Sequence, residues 1–277
     1  MVKLYSEILS KEIEVADELK RIVSLAPAIT ETLYLIGAGD KVVGVSYFCN
    51  KPAEVAKKPR VGAYLNVNYD LLQKLNPEIL LVTTGAQRER IYELENNGYK
   101  IYPIALPVNI YGILDNIMVV GIIVGERYNA RALAYEMNKK MISLHNALNG
   151  TKLYYEINLG GPVSVGAHSY IGDAFSYIGA SHVFEKNRTT YITNPDIEDV
   201  KRFDPEIIIY EQKLGEHADK KKVKEKLEKR GLGNLNAVKE GRIIVMEYDS
   251  LAHYGPSFFD ALQRLVKRVN DTLTNKY

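Results

Sequence analysis

One twelve-residue pattern occurs twice in this chain and limits its possible folds more than any other feature: Asp70-Leu-Leu-Gln-Lys-Leu-Asn-Pro-Glu-Ile-Leu-Leu81 recurs as Glu198-Asp-Val-Lys-Arg-Phe-Asp-Pro-Glu-Ile-Ile-Ile209. Each copy reads as an acid opening a short amphipathic helix, a stop ahead of proline, and an apolar run. Proline pushes the residue before it out of the helical region, and a continuous apolar run fits a strand covered on both faces. An acid at a helix N-terminus is favoured by the macrodipole, which accounts for each copy singly. Their equivalent placement, echoed by Leu35-Ile-Gly-Ala38 and Tyr177-Ile-Gly-Ala180, points to two related α/β units.

The rest of the chain supports that division. Arg21–Ala26 predicts a short strand ended by Pro27, followed by a helix over 30–36 with Gly37-Ala38-Gly39 as its cap and turn. Strands are expected at Lys41–Ser46, Ile79–Thr83 and Lys100–Ile104, with helices at Tyr69–Leu75 and Arg88–Asn97 between them. From Tyr111 to Leu148 the strand signal stops and two helical stretches meet at Gly125. The second, Arg127–Leu148, has no Gly or Pro inside and predicts a stiff rod of roughly 30 Å. Alternation resumes with a strand at Lys152–Asn158, a Gly160-Gly161-Pro162 turn and a helix over Tyr170–Ile178. A strand at Ile207–Tyr210, a helix in the lysine-rich run, a strand at Arg242–Met246 and a terminal helix at Phe258–Val269 follow. The expected fold is α/β: two similar lobes, each a mainly parallel sheet with helices on both faces, joined by a long rigid backbone helix. Its boundaries are 1–108 for the N-terminal lobe, 109–149 for the connecting helices and 150–277 for the C-terminal lobe. A length of 277 residues suits two lobes of roughly 100–150 each.

Composition excludes several function classes. A net charge of +2 creates no field for nucleic acid, and the basic run Lys220–Lys229 is interrupted by Glu225 and Glu228, as on a solvated helix face. Cys49 is the sole cysteine, so neither an intrachain disulfide nor a cysteine zinc site can form. Abundant Lys and Glu, with 20 Tyr and no Trp, lean toward a thermophile's composition. The apolar stretch Ile117–Val124 falls far short of the ~20 residues of a membrane span. Met1–Glu7 meets charged residues before any apolar leader, so either an export signal preceded this start or the protein is cytosolic. No Gly-x-Ser-x-Gly elbow, phosphate loop, Gly-x-Gly-x-x-Gly or His-Glu-x-x-His helix is present, and the five histidines are scattered. A binding protein is expected rather than an enzyme.

Five stretches carry a resemblance to a known family: Arg21–Glu31, Ile36–Ser46, Phe48–Pro52, Asp70–Leu81 and Glu198–Ile209; Gly62–Asn68 and Gly255-Pro256 fit as well. In that order the chain resembles the helical-backbone substrate-binding proteins of ABC importers, the group serving vitamin B12, haem and ferric siderophores. The resemblance implies capture of a metal chelate in an interlobe cleft, at loops on the C-terminal ends of the strands, and delivery to a membrane permease dimer. A cytosolic carrier or sensor of the same fold is the alternative. On this sequence the loops would offer Pro27, Phe48, Tyr64, Ala86 and Gln87 from the first lobe, and His168, Tyr170, Gln212, His253 and Tyr254 from the second. Aromatic rings suit a flat macrocycle because they give large contact area at low side-chain entropy cost. Tyr64 stands where the family often has Trp, and no arginine set beyond Arg88 and Arg90 matches the siderophore binders. Each residue also has a structural reading: Phe48 and Tyr64 as packing aromatics, His168 as a turn residue, His253 as a histidine among apolar neighbours. The resemblance makes Asp70 and Glu198 the permease-docking acids, with the helix N-terminus as their plain alternative. It further implies a monomer, no cofactor of its own, a ligand that itself carries cobalt or iron, His168 or His253 as a candidate axial ligand, no nucleic-acid partner, and an extracytoplasmic location if a signal was removed.

Overall fold

The computed structural model describes residues 1–63, 66–85 and 88–274. Its chain divides into two units, one of Met1–Pro107 with Tyr111–Asn138, the other of Val108–Ile110 with the chain from Lys139.

The first unit begins with an antiparallel hairpin, β1 (Val2–Ser6) and β2 (Lys11–Val15), pairing Val2 with Val15. The sequence reading passed over it, although Ile13 and Val15 are buried while Glu12 and Glu14 are exposed, the period-2 signature of a half-buried strand. Then come β3 (Ile22–Ser24), α1 (Pro27–Leu35), β4 (Val42–Val45), α2 (Tyr69–Leu75), β5 (Ile79–Thr83), α3 (Arg88–Asn96) and β6 (Ile101–Ile104). The strands form a wholly parallel sheet in the order β4-β3-β5-β6. All five residues of β5 are buried, as its unbroken apolar run requires. One face packs Val23, Leu80 and Val82 against Leu72, Ile91 and Leu94 of the helices.

Two helices follow, α4 (Ile110–Ile123) and α5 (Arg127–Ile142), parted at Gly125 with φ +80°. The chain passes from one unit to the other within α5, between Asn138 and Lys139. The rod is shorter than expected: 16 residues, about 24 Å at 1.5 Å per residue, ending at Ile142 rather than Leu148. Beyond it, backbone amides turn to a competing partner. Asn146 N–H donates to Tyr177 O (3.2 Å), Leu148 N–H to Ile178 O (2.8 Å) and Gly150 N–H to Gly179 O (2.9 Å). Leu144 and Leu148 are still buried, so the apolar spacing was sound but the conformation changed.

The second unit contains β7 (Lys152–Asn158), β8 (Pro162–Val165), α6 (Tyr170–Tyr177), β9 (Ser181–His182), β10 (Tyr191–Thr193), α7 (Ile197–Phe203), β11 (Ile207–Glu211), α8 (Lys220–Lys229), α9 (Asn236–Lys239), β12 (Ile243–Met246) and α10 (Ser257–Thr274). The sheet order is β10-β8-β7-β11-β12, with β9 beside the start of β7. β7, β11, β12 and β9 run parallel, while β8 pairs antiparallel with both β7 and β10, an extension that the sequence reading missed.

The repeated pattern folds the same way in both units. Asn68 caps α2 by accepting from Leu71 N–H (2.9 Å), and Asp196 caps α7 by accepting from Glu198 N–H (2.7 Å). Each helix ends in a left-handed residue, Asn76 (φ 42°) and Asp204 (φ 46°). The glutamates of the repeat then fix the strand start: Glu78 Oε2 accepts from Lys20 and Arg21 N–H (2.5 and 2.8 Å), and Glu206 Oε2 from Lys152 N–H (3.0 Å). Ile22 is thereby set opposite Ile79, and Leu153 opposite Ile207.

Candidate functional site

In a parallel sheet flanked by helices, loops at the carboxyl ends of the strands are the free edge where ligands bind. In the first unit these loops are held by hydroxyl and thiol contacts together with one arginine. Pro27 is buried as the first residue of α1, where its missing N–H is no loss. Behind it Thr30 Oγ1 donates to Ser24 Oγ (2.8 Å), and lies 3.0 Å from Cys49 Sγ, which is itself 3.2 Å from Ser46 Oγ. Arg60 donates to the carbonyls of Ser46 (2.9 Å) and Cys49. Burial pushes the Cys49 thiol up, so this cysteine is a packing residue and not a nucleophile. On that base Phe48 is half-buried, while Tyr47, which the sequence reading passed over, stands 63% exposed. Tyr64, Ala86 and Gln87 lie outside the described residues.

In the second unit the corresponding loops are held by two carboxylates, one buried and one half-buried. Glu211, the last residue of β11, is fully buried and accepts from three successive backbone amides: Ser250 (2.9 Å), Leu251 (3.0 Å) and Ala252 (3.1 Å). The Tyr155 hydroxyl completes the set at 2.9 Å. Burial raises its carboxyl to about 7, against the pull of those four donors. Glu216 ties the loop after β11 to the end of β7, accepting from Asn158 Nδ2 (3.0 Å), Tyr210 OH (3.0 Å), Lys213 N–H (3.1 Å) and Lys226. Burial opposes its charge, but those hydrogen bonds, led by Lys226, hold its carboxyl down at about 2. Two leucines that the sequence reading did not single out stand out from these fastened loops: Leu159 at 61% exposure and Leu214 at 58%. An open hollow between the loops after β11 and β12 is lined by Gln212, Glu216, His217, Asp219, Glu247 and Tyr248.

The expected second-unit residues separate into two kinds. His168 is exposed, next to Ser169, whose hydroxyl caps α6 through Gly172 N–H (2.9 Å). Gly166 before it is obligatory, since a Cβ there would meet Thr189 O at 2.2 Å. Tyr254 is half-buried, its ring edge-on to Tyr170 at 5.8 Å. The other three are supports. Tyr170 is 1% exposed and packs on Tyr254 and Phe258, so it backs the loop that carries Tyr254. Gln212 Oε1 accepts from Ala218 N–H (2.6 Å) and its Nε2 approaches Met246 O (3.4 Å), so its side chain braces its own loop. His253 is 2% exposed, with Nδ1 3.0 Å from Asp249 Oδ2, so its ring packs within its own loop. Among the described residues no group of three or more His, Cys, Asp and Glu is placed to hold a metal ion.

Asp70 and Glu198 are both exposed and both the second residue of their helices, α2 and α7. Glu198 also pairs with Lys201 at 2.7 Å, an exposed contact worth little in stability.

Two α/β units built on one repeat thus each carry fastened loops at the strand ends that display apolar side chains. The Periplasmic binding protein family profile matches residues 22–249, and the chain belongs to that family. Its relatives include YvrC of Bacillus subtilis, an uncharacterized ABC transporter substrate-binding lipoprotein, 23% identical over 94% of this chain and 83% of that protein. The vitamin B12-binding protein of Vibrio parahaemolyticus is 22% identical over 74% of this chain and 76% of its own. Among solved structures, the periplasmic haem-binding protein RhuT of a Roseiflexus species matches with a TM-score of 0.79 and 20% identity, covering 91% of this chain and 98% of that one. The periplasmic vitamin B12 binding protein BtuF of Vibrio cholerae matches with a TM-score of 0.76 and 21% identity, covering 92% and 98%. The structural matches establish the fold.

Proposed function

We propose that this chain is the solute-binding component of an ABC importer, that it captures a metal chelate on the strand-end loops of its two units, and that it performs no chemistry on it. The observation that carries this reading is the exposure of Tyr47, Leu159 and Leu214 on loops that are otherwise densely hydrogen-bonded. Exposed apolar side chains on mobile loops are unremarkable; on braced loops at the ligand edge they are preformed contact area. A corrinoid, a haem or a ferric siderophore would supply the matching large apolar or aromatic faces, and relatives bear the names of vitamin B12-binding and haem-binding proteins. The chelate brings its own cobalt or iron, so the protein needs no cofactor. Delivery would be to a two-fold symmetric permease: Asp70 and Glu198, matched in the two units, would engage matched cations on the permease dimer. This places the working protein outside the cytoplasm, and among the described residues no helix is long and apolar enough to cross a membrane. The test is titration of the purified protein with cyanocobalamin, haemin and a ferric siderophore, read by visible absorption. Saturable binding of one of them supports the reading, and binding of none overturns the chelate class.

A further inference from the structure

A hollow of about 700 Å³ lies on the flank of the second unit, between the loop after β9 and the last turn of α7. β9 pairs with the start of β7, Ser181 opposite Lys152, and α7 leads into the start of β11. The hollow therefore stands toward the amino ends of the strands, whereas Leu159, Leu214 and Tyr254 belong to loops at their carboxyl ends. Its loop is braced: Asn187 N–H donates to Phe184 O (3.0 Å), Ala167 N–H to Asn187 O (2.7 Å) and His168 N–H to Thr189 O (3.1 Å). Two exposed cations project from it, Lys186 and Arg188, and among the described residues neither has a hydrogen bond or an ion pair. Between them Asn187 Oδ1 accepts from Thr189 N–H (3.1 Å), which leaves its Nδ2 as a donor. Arg202 lines the same hollow from α7, with one Nη held by Asp199 at 2.8 Å. Lys152 adds a further positive charge over the Phe203 ring, 4.7 Å from its centre. The acids beside them are engaged, Asp199 with Arg202 and Glu185 Oε2 with His182 N–H (3.3 Å). The unengaged side-chain groups at the rim are thus donors, most of them charged, which is the chemistry of an oxyanion site.

We propose that this hollow binds a phosphate-bearing anion, held by Lys186, Asn187 and Arg188 on one side and by Arg202 on the other. An arginine fork takes two phosphate oxygens and leaves others for a lysine, which the two oxygens of a carboxylate cannot supply. Phe184 is buried and Phe203 half-buried beneath the cations, so contacts made there are screened less than in open water. Free phosphate and the phosphate of an anionic lipid headgroup present the same oxygens, and the site takes one or the other. It does not depend on capture of a chelate at the opposite ends of the strands.

Titration with inorganic phosphate at constant ionic strength, followed by NMR of backbone amides and arginine Nε–H groups, tests the site. Saturable shifts confined to the loop 184–188 and Arg202 are expected, and chloride alone should give none. Lys186→Gln with Arg188→Gln removes two exposed cations, so the melting temperature should stay within about two degrees. Phosphate affinity in that double variant should fall at least about tenfold. If the double variant does not fold, Arg188→Gln alone decides, with a smaller loss in the same direction. Sedimentation with vesicles separates the two sources. Native protein that pellets with phosphatidylglycerol but not with phosphatidylcholine vesicles, and no longer does so in the double variant, assigns a lipid headgroup. Saturable phosphate binding without pelleting assigns the free anion. Affinity unchanged in the folded double variant, for whichever form the native protein binds, overturns the site, as does binding of neither form.

Discussion

The two units brace their strand-end loops by different means. In the first, the loop after β4 rests on Thr30, Ser24, Ser46 and Cys49, with Arg60 reaching two backbone carbonyls. In the second, two carboxylates do the equivalent work: Glu211 under the loop after β12 and Glu216 under the loop after β11. Neutral hydrogen bonds contribute about 0.5–1.5 kcal/mol each and do not titrate, whereas a buried carboxylate satisfies several donors at once and makes the loop depend on its charge. The fold repeat therefore did not copy its fastenings.

Deletion of the fastenings should separate the units most sharply. Glu211→Ala leaves three backbone amides and a phenol without their acceptor in a buried site, and a loss of ~4 kcal/mol or more in urea unfolding is expected. Thr30→Val, which removes one neutral hydroxyl of the first-unit network, should lose only ~1–2 kcal/mol. Equal losses would break the contrast.

The pH dependence of stability comes next, and its two carboxylates have opposite signs. Glu216 is held at about 2, so its contribution is present above its ordinary value of 4.5 and is lost as pH falls toward 2. Glu211 sits at about 7, so its contribution is complete below 4.5 and is lost as pH rises through 7. Burial holds His182 at about 4, so its contribution grows as pH rises toward 6.5, and the decline due to Glu211 between pH 5 and 8.5 is read as the difference between the native protein and Glu211→Gln, which keeps His182. A decline that persists unchanged in the variant would assign it to other groups.

The smallest effect is expected at the paired helix starts. Asp70→Ala with Glu198→Ala removes two macrodipole contacts, each worth about 0.3–1 kcal/mol, and should leave chelate affinity unchanged. Binding to reconstituted permease should fall sharply and the native interaction should weaken with salt. Unchanged permease binding would reduce both acids to helix-start residues.

Much of the fold was legible because its signals are local. The runs Ile79–Thr83 and Ile207–Glu211 are buried along their whole length, and the Asn/Asp-Pro-Glu step marks a helix end and strand start in both units. What escaped was decided by distant partners. The helix α5 stops because amides of 146–150 bond to residues 177–179, and β10 is a three-residue strand that exists through its pairing with β8. The site was less legible than the fold. Tyr170 and Tyr254 look alike in sequence, yet one is buried under the other's ring. Glu211 left no signal because the amides it binds carry no side-chain identity; any residues at 250–252 other than proline would offer them. Leu159 and Leu214 read as ordinary apolar residues until the loops around them prove to be braced.

Those leucines give the most direct test of ligand capture on these loops. Each buries about 1.5–3 kcal/mol of apolar contact if a chelate covers it. The measurement is titration of the native protein and of Leu159→Ser with Leu214→Ser, using whichever of cyanocobalamin, haemin or a ferric siderophore binds. Both side chains are exposed, so the urea midpoint should barely move. The account predicts affinity at least ~tenfold weaker in the double variant. Undiminished affinity in a folded double variant would contradict it.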